Sequence, residues 1–213
     1  PARDMTVLRG NALTTVAAVR SALGITAGDA LVEDRLTMLI NQASATIEAE
    51  LGRRLGMADY SESITPSGTQ YQMLRQWPVI NIASVTQFGE TIDPVRYSAS
   101  PDGLPILYKD DGWQVTGYPV GLAYDVVRIN RNLLVDYTAG YVLPKDAAED
   151  NPATLPADLE GLCVEMVLSA YGKMTSGGMA GLKSFGISDV RWEWINEMPP
   201  DWRRTLDRHR RWV

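Results

Sequence analysis

Cysteine, histidine and long apolar runs are scarce in this 213-residue sequence, and each shortage excludes a class of protein. The single cysteine, Cys163, excludes an internal disulfide framework. Its place in the apolar stretch GLCVEMVLSAY predicts a buried free thiol in a reducing cell. No apolar run approaches about 18 residues, so no transmembrane helix is expected. No charged-then-apolar leader opens the chain, so no secretion signal is expected either.

Groups that carry catalysis or bind metals are equally scarce. The single histidine, His209, stands among arginines, which disfavour its protonated form, and the sequence offers it no evident partner as a base. A metal site would have to consist of carboxylates, and YKDDGW lacks the ligand spacing of a calcium loop. GGMAGLKS is not a phosphate-binding loop, because Leu182 separates its last glycine from the lysine. We therefore expect no catalytic residue, no metal and no cofactor, and a hydrolase that depends on His209 is the least favoured hypothesis.

Positive charge is concentrated at one end of an acidic chain. The formal net charge is −6. Residues 203–213 contain five arginines and one aspartate, a contribution of +4 that leaves −10 for the rest of the chain. The acidic pairs Asp110/Asp111 and Glu48/Glu50 are interpreted as solvated turns and helix faces. An acidic body repels DNA phosphates, which argues against broad nucleic-acid binding but permits a surface that DNA passes without binding.

The first part of the chain shows two kinds of apolar periodicity. Helical spacing and terminal glycines predict a short helix over about 15–23, with Thr14 or Thr15 as its N-cap, and a long helix near 29–51. From about 57 to 142 the apolar residues alternate instead, and turn dipeptides interrupt them. This segment predicts five to seven short antiparallel strands in a small sheet or barrel.

The second part of the chain begins with a proline-punctuated linker. A third helix is predicted near 157–174, with Asp158 or Thr154 as its N-cap. The glycine-rich stretch 175–188 is interpreted as a flexible loop. The alternation in SDVRWEW predicts a short strand, and a last helix is expected with Pro200 near its first turn.

Together these elements predict an α+β fold. Two N-terminal helices and one C-terminal helix form a helical core, an antiparallel β-rich subdomain is inserted between them, and a strand and a helix form a C-terminal tail. The expected organisation is an N-terminal helical pair over 1–56, a β-rich insertion over 57–142, a linker and core helix over 143–174, and a flexible loop and interaction tail over 175–213.

Arginine and tryptophan, the side chains most enriched at binding hot spots, are concentrated in that tail. Three interpretations remain open: a solvated tail without a role, a protein–protein anchor, or a nucleic-acid contact in which aromatic rings stack on bases. The tryptophans also have the option of packing on the protein's own body, since exposing them to water is costly. The candidate portal- or partner-binding residues are Trp192, Trp194, Trp202, Arg203, Arg204, Arg208, Arg210, Arg211 and Trp212.

Several stretches, in this order, resemble one family. They are GDALVEDRLTMLINQASATIEAELGRRL, QWPVINIASVTQFGETIDPVRYS, LLVDYTAGYVLP followed by LPADLEGLCVEMVLSAY, and SFGISDVRWEW followed by LDRHRRW. Together they are similar to the larger members of the tailed-phage head–tail connector proteins, also called adaptor or head-completion proteins. The closing segment departs from the family pattern: it is more basic, and His209 stands where a tyrosine is common. The loop 175–188 is also longer.

The resemblance implies a structural virion protein without catalytic activity. Such proteins form a ring, commonly a dodecamer, beneath the portal, where they extend the DNA channel and provide the surface on which the tail docks. The implied partners are the portal protein, a tail or stopper protein of the neck, and further copies of the chain. Genomic DNA passes through without sequence-specific binding, and no membrane is involved. The implied location is the head–tail junction of the virion, and the host bacterial cytoplasm during assembly. The alternative function is a nucleic-acid-binding module that uses the basic tail.

Overall fold

The structure is a computed structural model. It describes residues 7–26, 29–115, 132–175, 184–187, 190–193 and 198–210. The chain forms two compact units, one of Pro1–Arg53 with Val142–Val213 and one of Arg54–Tyr141. The described elements confirm the predicted α+β fold, with helices at both ends and antiparallel strands in the middle. They are α1 (Val16–Leu23), α2 (Ala30–Leu51), β1 (Ala58–Ile64), β2 (Tyr71–Met73), β3 (Val79–Gln87), β4 (Glu90–Thr91), β5 (Ser98–Ala99), β6 (Ile106–Tyr108), β7 (Leu133–Ala139), α3 (Ala157–Thr175), β8 (Ser184–Ile187), β9 (Val190–Glu193) and α4 (Pro200–His209).

The first two helices begin and end where local signals predict. The side chains of Thr15 and Asp29 each accept a backbone N–H of the following first turn, so they are the N-caps of α1 and α2. Gly24 and Gly52 end the two helices in the left-handed conformation, with φ of 67° and 65°. Glycine adopts this conformation without a steric penalty, which explains why both helices end there.

The third helix begins differently from the prediction. Its first residue is Ala157, after Pro156, so Asp158 lies inside the first turn and is not the N-cap. The Thr154 hydroxyl is also occupied elsewhere, because it accepts the backbone N–H of Val142 at 2.9 Å. Neither predicted cap is therefore used, and the Asp158 carboxylate is left for a tertiary contact.

The segment before α1 is fastened along α2. Three side chains on one face of α2, Asn41, Ser44 and Glu48, hydrogen-bond to groups of residues 7–14. Asn41 does so at both ends of its amide, since its Oδ1 accepts from the Arg9 backbone N–H and its Nδ2 donates to a carbonyl. Glu48, predicted to be a solvated helix-face residue, thus helps to hold the segment in place.

The apolar core of the helical unit follows the predicted periodicity. Buried residues of α2 recur at three- and four-residue intervals and meet buried residues of the other helices. The core residues of this unit are Ala12, Leu13, Val19, Leu36, Leu39, Ile40, Ala43, Ile47, Leu51, Val142, Leu143, Leu155, Leu159, Leu162, Cys163, Val167 and Leu206.

The second unit contains two antiparallel sheets. One has the strand order β1-β7-β3-β4 and the other β2-β6-β5. In the first sheet β7 pairs with β1 from Ala58↔Ala139 to Ile64↔Leu133 and with β3 on its other side. Among the described residues of this unit, one cluster of buried side chains packs together: Leu74, Val79, Val85, Leu107, Trp113, Leu133, Val135, Tyr137 and Ala139.

Strand β8 lies within the stretch that the sequence pattern predicts to be a glycine-rich loop, and that interpretation is wrong for Ser184–Ile187. These residues pair antiparallel with Val190–Glu193, so their backbone groups are hydrogen-bonded in a two-stranded hairpin. The pairing is a property of two segments together, which explains why the composition of one does not reveal it.

None of the helices within the described ranges is long and apolar enough to cross a membrane.

Candidate protein-binding site on the C-terminal helix

The C-terminal helix α4 has one side turned inward and one turned to solvent. Pro200 occupies its first turn, where the missing N–H has no intrahelical partner to lose. Leu206 is 1% exposed, whereas Arg203 and Arg204 are exposed. Three residues share the inward side of α4 because they are spaced at i, i+4 and i+7: Trp202, Leu206 and His209.

Trp202 fastens the first turn of α4 to α3. Its indole Nε1 donates a hydrogen bond of 2.9 Å to Glu165 Oε2, and the residue is half-buried. A partly buried indole has its one polar atom satisfied in this way. The contact supports the interpretation that this tryptophan packs on the protein's own body.

His209 fastens the last turn of α4 to the first turn of α3. Its Nε2 lies 2.9 Å from Asp158 Oδ2 and 3.0 Å from Oδ1, and Arg208 Nη1 lies 3.7 Å from the same carboxylate. Burial raises the pKa of the Asp158 carboxyl. The hydrogen bond from His209 and the charges of His209 and Arg208 outweigh this effect and hold the pKa below its usual value. The sequence shows His209 only among arginines, and the fold supplies the carboxylate.

Arg210 connects the end of α4 to the end of α2. Its Nε donates to the Glu50 carbonyl at 3.1 Å, and its Nη2 lies 2.9 Å from Glu50 Oε2. A cation is favoured at this position because the carbonyls of the last helical turn carry partial negative charge. Glu50, predicted to be a solvated helix-face residue, therefore forms an ion pair with Arg210. A third contact, from Arg210 Nη1 to Asp207 Oδ1 at 3.3 Å, also holds the guanidinium.

The outward side of α4 keeps its positive charge available. Arg204 contacts Asp201 at 3.2 Å. This ion pair is weak because the side chain of Arg204 is 75% exposed and that of Asp201 is 86% exposed. Arg203 forms no ion pair with any residue in the described part of the chain. Arg208 is 62% exposed despite its contact with the α3 carboxylate. The outward side of α4 therefore presents exposed positive charge.

Five of the predicted site residues are brought together on α4 or at its end: Trp202, Arg203, Arg204, Arg208 and Arg210. Trp192 lies in β9, but its side chain is outside what the structure describes. Trp194, Arg211 and Trp212 lie outside the described residues.

The acidic partners of α4, which the sequence pattern does not reveal, are Glu50, Asp158 and Glu165. They lie between 37 and 160 residues away from the side chains that they bind. The charge distribution was a weak signal for such partners, since a basic helix that packs on an acidic body is expected to meet carboxylates there. The sequence does not say which of its acidic residues these are.

The arrangement at His209 does not form a nucleophile–base pair within the described residues. Asp158 can orient the imidazole, but the second ring nitrogen contacts no described hydroxyl or thiol. Cys163 is fully buried beside Ser44, and burial raises the pKa of its thiol to about 11. Nor do the described histidine, cysteine and acidic side chains form a group that could hold a metal ion.

Comparisons with known proteins identify the family of the chain and its fold. The head completion protein family model matches residues 12–212. The comparison with curated proteins finds no match. One similar solved structure is described as "Neck of empty GTA particle computed with C6 symmetry", with 20% identity, a TM-score of 0.56, and coverage of 96% of this chain and 92% of that one. Another is described as "Virion of native gene transfer agent (GTA) particle", with 18% identity, a TM-score of 0.52 and the same coverage of 96% and 92%. At these identities the likeness shows a shared fold. Because the family match spans almost the whole sequence, the chain belongs to the head completion protein family, the tailed-phage head–tail connector family that its motifs resemble.

Proposed function

We propose that the chain is a structural protein of the head–tail neck, a connector that forms a ring beneath the portal, extends the DNA channel and provides the surface on which the tail or a stopper protein docks. The observation that carries this proposal is the family match over residues 12–212. The similar chains in a neck and in a virion support it. In this role the protein is not an enzyme, resides at the head–tail junction of the virion and passes through the host cytoplasm during assembly.

The proposed ring is cyclic, and we propose a dodecamer. The similar neck was computed with sixfold symmetry, and a twelve-membered ring contains a sixfold axis. In such a ring each copy uses two different surfaces, one for each neighbour, because the contacts are head-to-tail. The chain therefore needs a pair of complementary surfaces.

The outward side of α4 is the proposed partner-binding surface. Its inward side already contacts the protein's own body through Trp202, Leu206 and His209, so the arginines on the outer side remain for a partner. An acidic protein surface is the expected recipient, since complementary charge steers and orients association. The portal and an adjacent copy are the two candidate partners. Arg211, Trp192, Trp194 and Trp212 are proposed to extend the same surface.

An acidic, hydroxyl-rich sheet face supports passage of DNA without binding. The outer side of the β1-β7-β3 strands carries Asp59, Ser61, Ser63, Asn81, Ser84, Thr86, Leu134, Asp136 and Thr138. Hydrogen bonds from Ser61 and Ser84 hold the pKa of Asp136 below its usual value, so this carboxylate stays ionised and repels phosphate. A wall of this chemistry lets a polyanion slide past.

The test is to mix the purified chain with portal protein and measure the mass and image the particles. We expect a ring bound to the portal. A chain that stays monomeric with portal present and does not bind it would overturn the proposal. Free monomers without portal are compatible with ring formation on docking.

The nucleic-acid alternative is tested on the same material. DNA binding of the wild-type chain and of an Arg203→Glu/Arg204→Glu variant is measured at rising salt, with Arg35→Glu on α2 as an exposed control. The connector role predicts little DNA binding in any variant. Salt-dependent binding by the wild type that disappears only in the α4 variant would favour the nucleic-acid module.

A further inference from the structure

The two sheets of the second unit present opposite kinds of surface. An antiparallel sheet with one face on the core normally shows polar side chains on the other face, as the β1-β7-β3 strands do. The β2-β6-β5 sheet carries mainly aromatic and aliphatic side chains on its outer face, with Ser98 of β5 opposite Tyr108 at one edge. Its inward residues Gln72 and Leu107 are buried, while Tyr71, Met73 and Tyr108 alternate with them on the outer side. A contiguous exposed face of this composition is characteristic of a binding surface.

The centre of this face is a pair of tyrosines. Tyr71 and Tyr108 are directly opposite each other in the strand register, with ring centroids 5.3 Å apart and planes tilted by 50°. Tyr71 is 57% exposed and Met73 43% exposed. Met73 and Ile106 form the next pair along the same two strands, on the same face as the two tyrosines. Tyr108 is half-buried, and the exposed ring of Tyr71 offers a flat surface on which a planar cation can stack.

A carboxylate that forms no ion pair with the described residues, Asp110, lies two positions after Tyr108. The Asp110 carboxylate raises the pKa of the Tyr108 hydroxyl. The neighbouring cations are used elsewhere, because Lys109 and Arg96 both pair with Asp111. Within the described chain, Asp110 forms no ion pair. An aromatic surface beside a free carboxylate is the chemistry that holds a guanidinium group by stacking and by charge at once.

We propose that this surface, the Tyr71–Asp110 face, receives the outward side of α4 from an adjacent copy of the chain, with Arg203 and Arg204 on the tyrosine rings and Asp110. The proposal rests on the ring proposed above, which requires two different, complementary surfaces on each copy. Among the described residues the chain carries such a pair, an aromatic face beside the Asp110 carboxylate and a helix side with Arg203, neither of which forms an ion pair there. Arginine and tyrosine are also the side chains that dominate interface energetics.

A charge-reversal cycle in the full-length chain tests the pairing. Asp110→Arg and Arg203→Glu are each expected to weaken association between copies by about tenfold or more, and the double variant to regain at least part of it. Glu90→Arg and Arg35→Glu, exposed charges on β4 and α2, are the matched controls and should leave association unchanged. Ring formation is followed by mass measurement, alone and with portal protein, after circular dichroism has shown that each variant is folded.

Disulfide trapping gives a direct readout of proximity. Asp110→Cys and Arg203→Cys chains are made separately, mixed and oxidised, so a bond between them can only join two copies. The native Cys163 is buried and does not compete. We expect a disulfide-linked dimer from the mixture and much less from either variant alone or from a Glu90→Cys and Arg203→Cys mixture.

The outcomes separate this inference from the ring itself. Rings that form normally in every charge variant, without the mixed disulfide, would overturn the α4 pairing and leave the ring proposal standing. Loss of portal binding in Arg203→Glu with normal association between copies would assign α4 to the portal and equally overturn the inference. A wild-type chain that forms no ring with portal present would overturn both proposals.

Discussion

His209 Nε2 lies 2.9 Å from Asp158 Oδ2, and this contact joins the end of the C-terminal helix to the start of α3. The two residues are 51 positions apart in the sequence. With Trp202 bound to Glu165 and Arg210 bound to Glu50, the contact turns a basic, tryptophan-containing segment into a docked helix. Its polar contacts are partly exposed, so each contributes modestly and Leu206 supplies the buried apolar anchor.

Replacing Asp158 with asparagine should weaken the docking of α4. We expect the free energy of unfolding near neutral pH to fall by about 1 kcal/mol or less, because the side chain is a third exposed. The folded-state pKa of Asp158 is lowered, so its stabilisation is present above the unfolded pKa of about 4 and disappears as the pH falls through the lower folded pKa. The difference between wild type and variant, measured by urea unfolding, should therefore shrink below about pH 4. A difference that stays constant to lower pH would contradict this explanation.

Replacing Tyr137 with phenylalanine should destabilise the β-rich unit. The hydroxyl of this buried tyrosine donates to Glu62 Oε1 and accepts the backbone N–H of Gln76 at 3.2 Å, so the change leaves two polar groups without their partner. Burial, followed by the bond to Glu62, raises the pKa of Tyr137 well above its usual value. We expect a loss of about 1–2 kcal/mol by denaturant unfolding. Tyr71→Phe, which removes an exposed hydroxyl, is the control, and an equal loss there would contradict the argument.

Cys163 should resist thiol reagents while the protein is folded. The side chain is fully buried, and burial raises the pKa of its thiol to about 11, so thiolate is scarce at about pH 8. We expect negligible labelling by a thiol reagent in native buffer and complete labelling in denaturant, measured by mass spectrometry. A Ser21→Cys variant, with the new thiol exposed on α1, should add one rapidly labelled site. Rapid labelling of the wild type would show that the helical core opens there.

Two glycines inside α3 should be replaceable by alanine with a gain in stability. At Gly161 and Gly172 a Cβ would meet nothing within 4 Å, so alanine costs no steric strain and removes backbone freedom from the unfolded chain. Each change should raise the free energy of unfolding by about 0.5–1 kcal/mol, seen as a higher melting temperature.

Gly140→Ala is the matched control for those substitutions. Gly140 has φ of +112°, and a Cβ there would lie 2.6 Å from the Gly56 carbonyl oxygen, so we expect a loss of about 2 kcal/mol or more. A normal melting temperature for this variant would contradict the assigned backbone geometry.

Local signals explain how much of the fold is predictable from the sequence. Thr15 and Gly24 define α1 by themselves, because capping depends on residues within one turn. Alternation predicts strands in the middle of the chain for the same reason. The strand at Ser184–Ile187 was missed because its pairing depends on Val190–Glu193 and not on its own composition. Asp158, one of the two predicted caps of α3, lies inside the first turn because the helix begins at Ala157, and its carboxylate contacts His209 instead.

The sequence by itself determined the chemistry of the C-terminal segment: five arginines, interleaved tryptophans and an acidic remainder. The periodicity of those residues is also sequence information, since helix geometry places Trp202 and Leu206 on one side. Only the tertiary structure decided that this side is used within the chain and that Arg203 and Arg204 face outward. The physical reason is that burial and ion pairing depend on which distant carboxylates the helix meets. Glu50, Asp158 and Glu165 come to α4 through the packing of α2 and α3, and no local rule selects them from the other acidic residues of the chain.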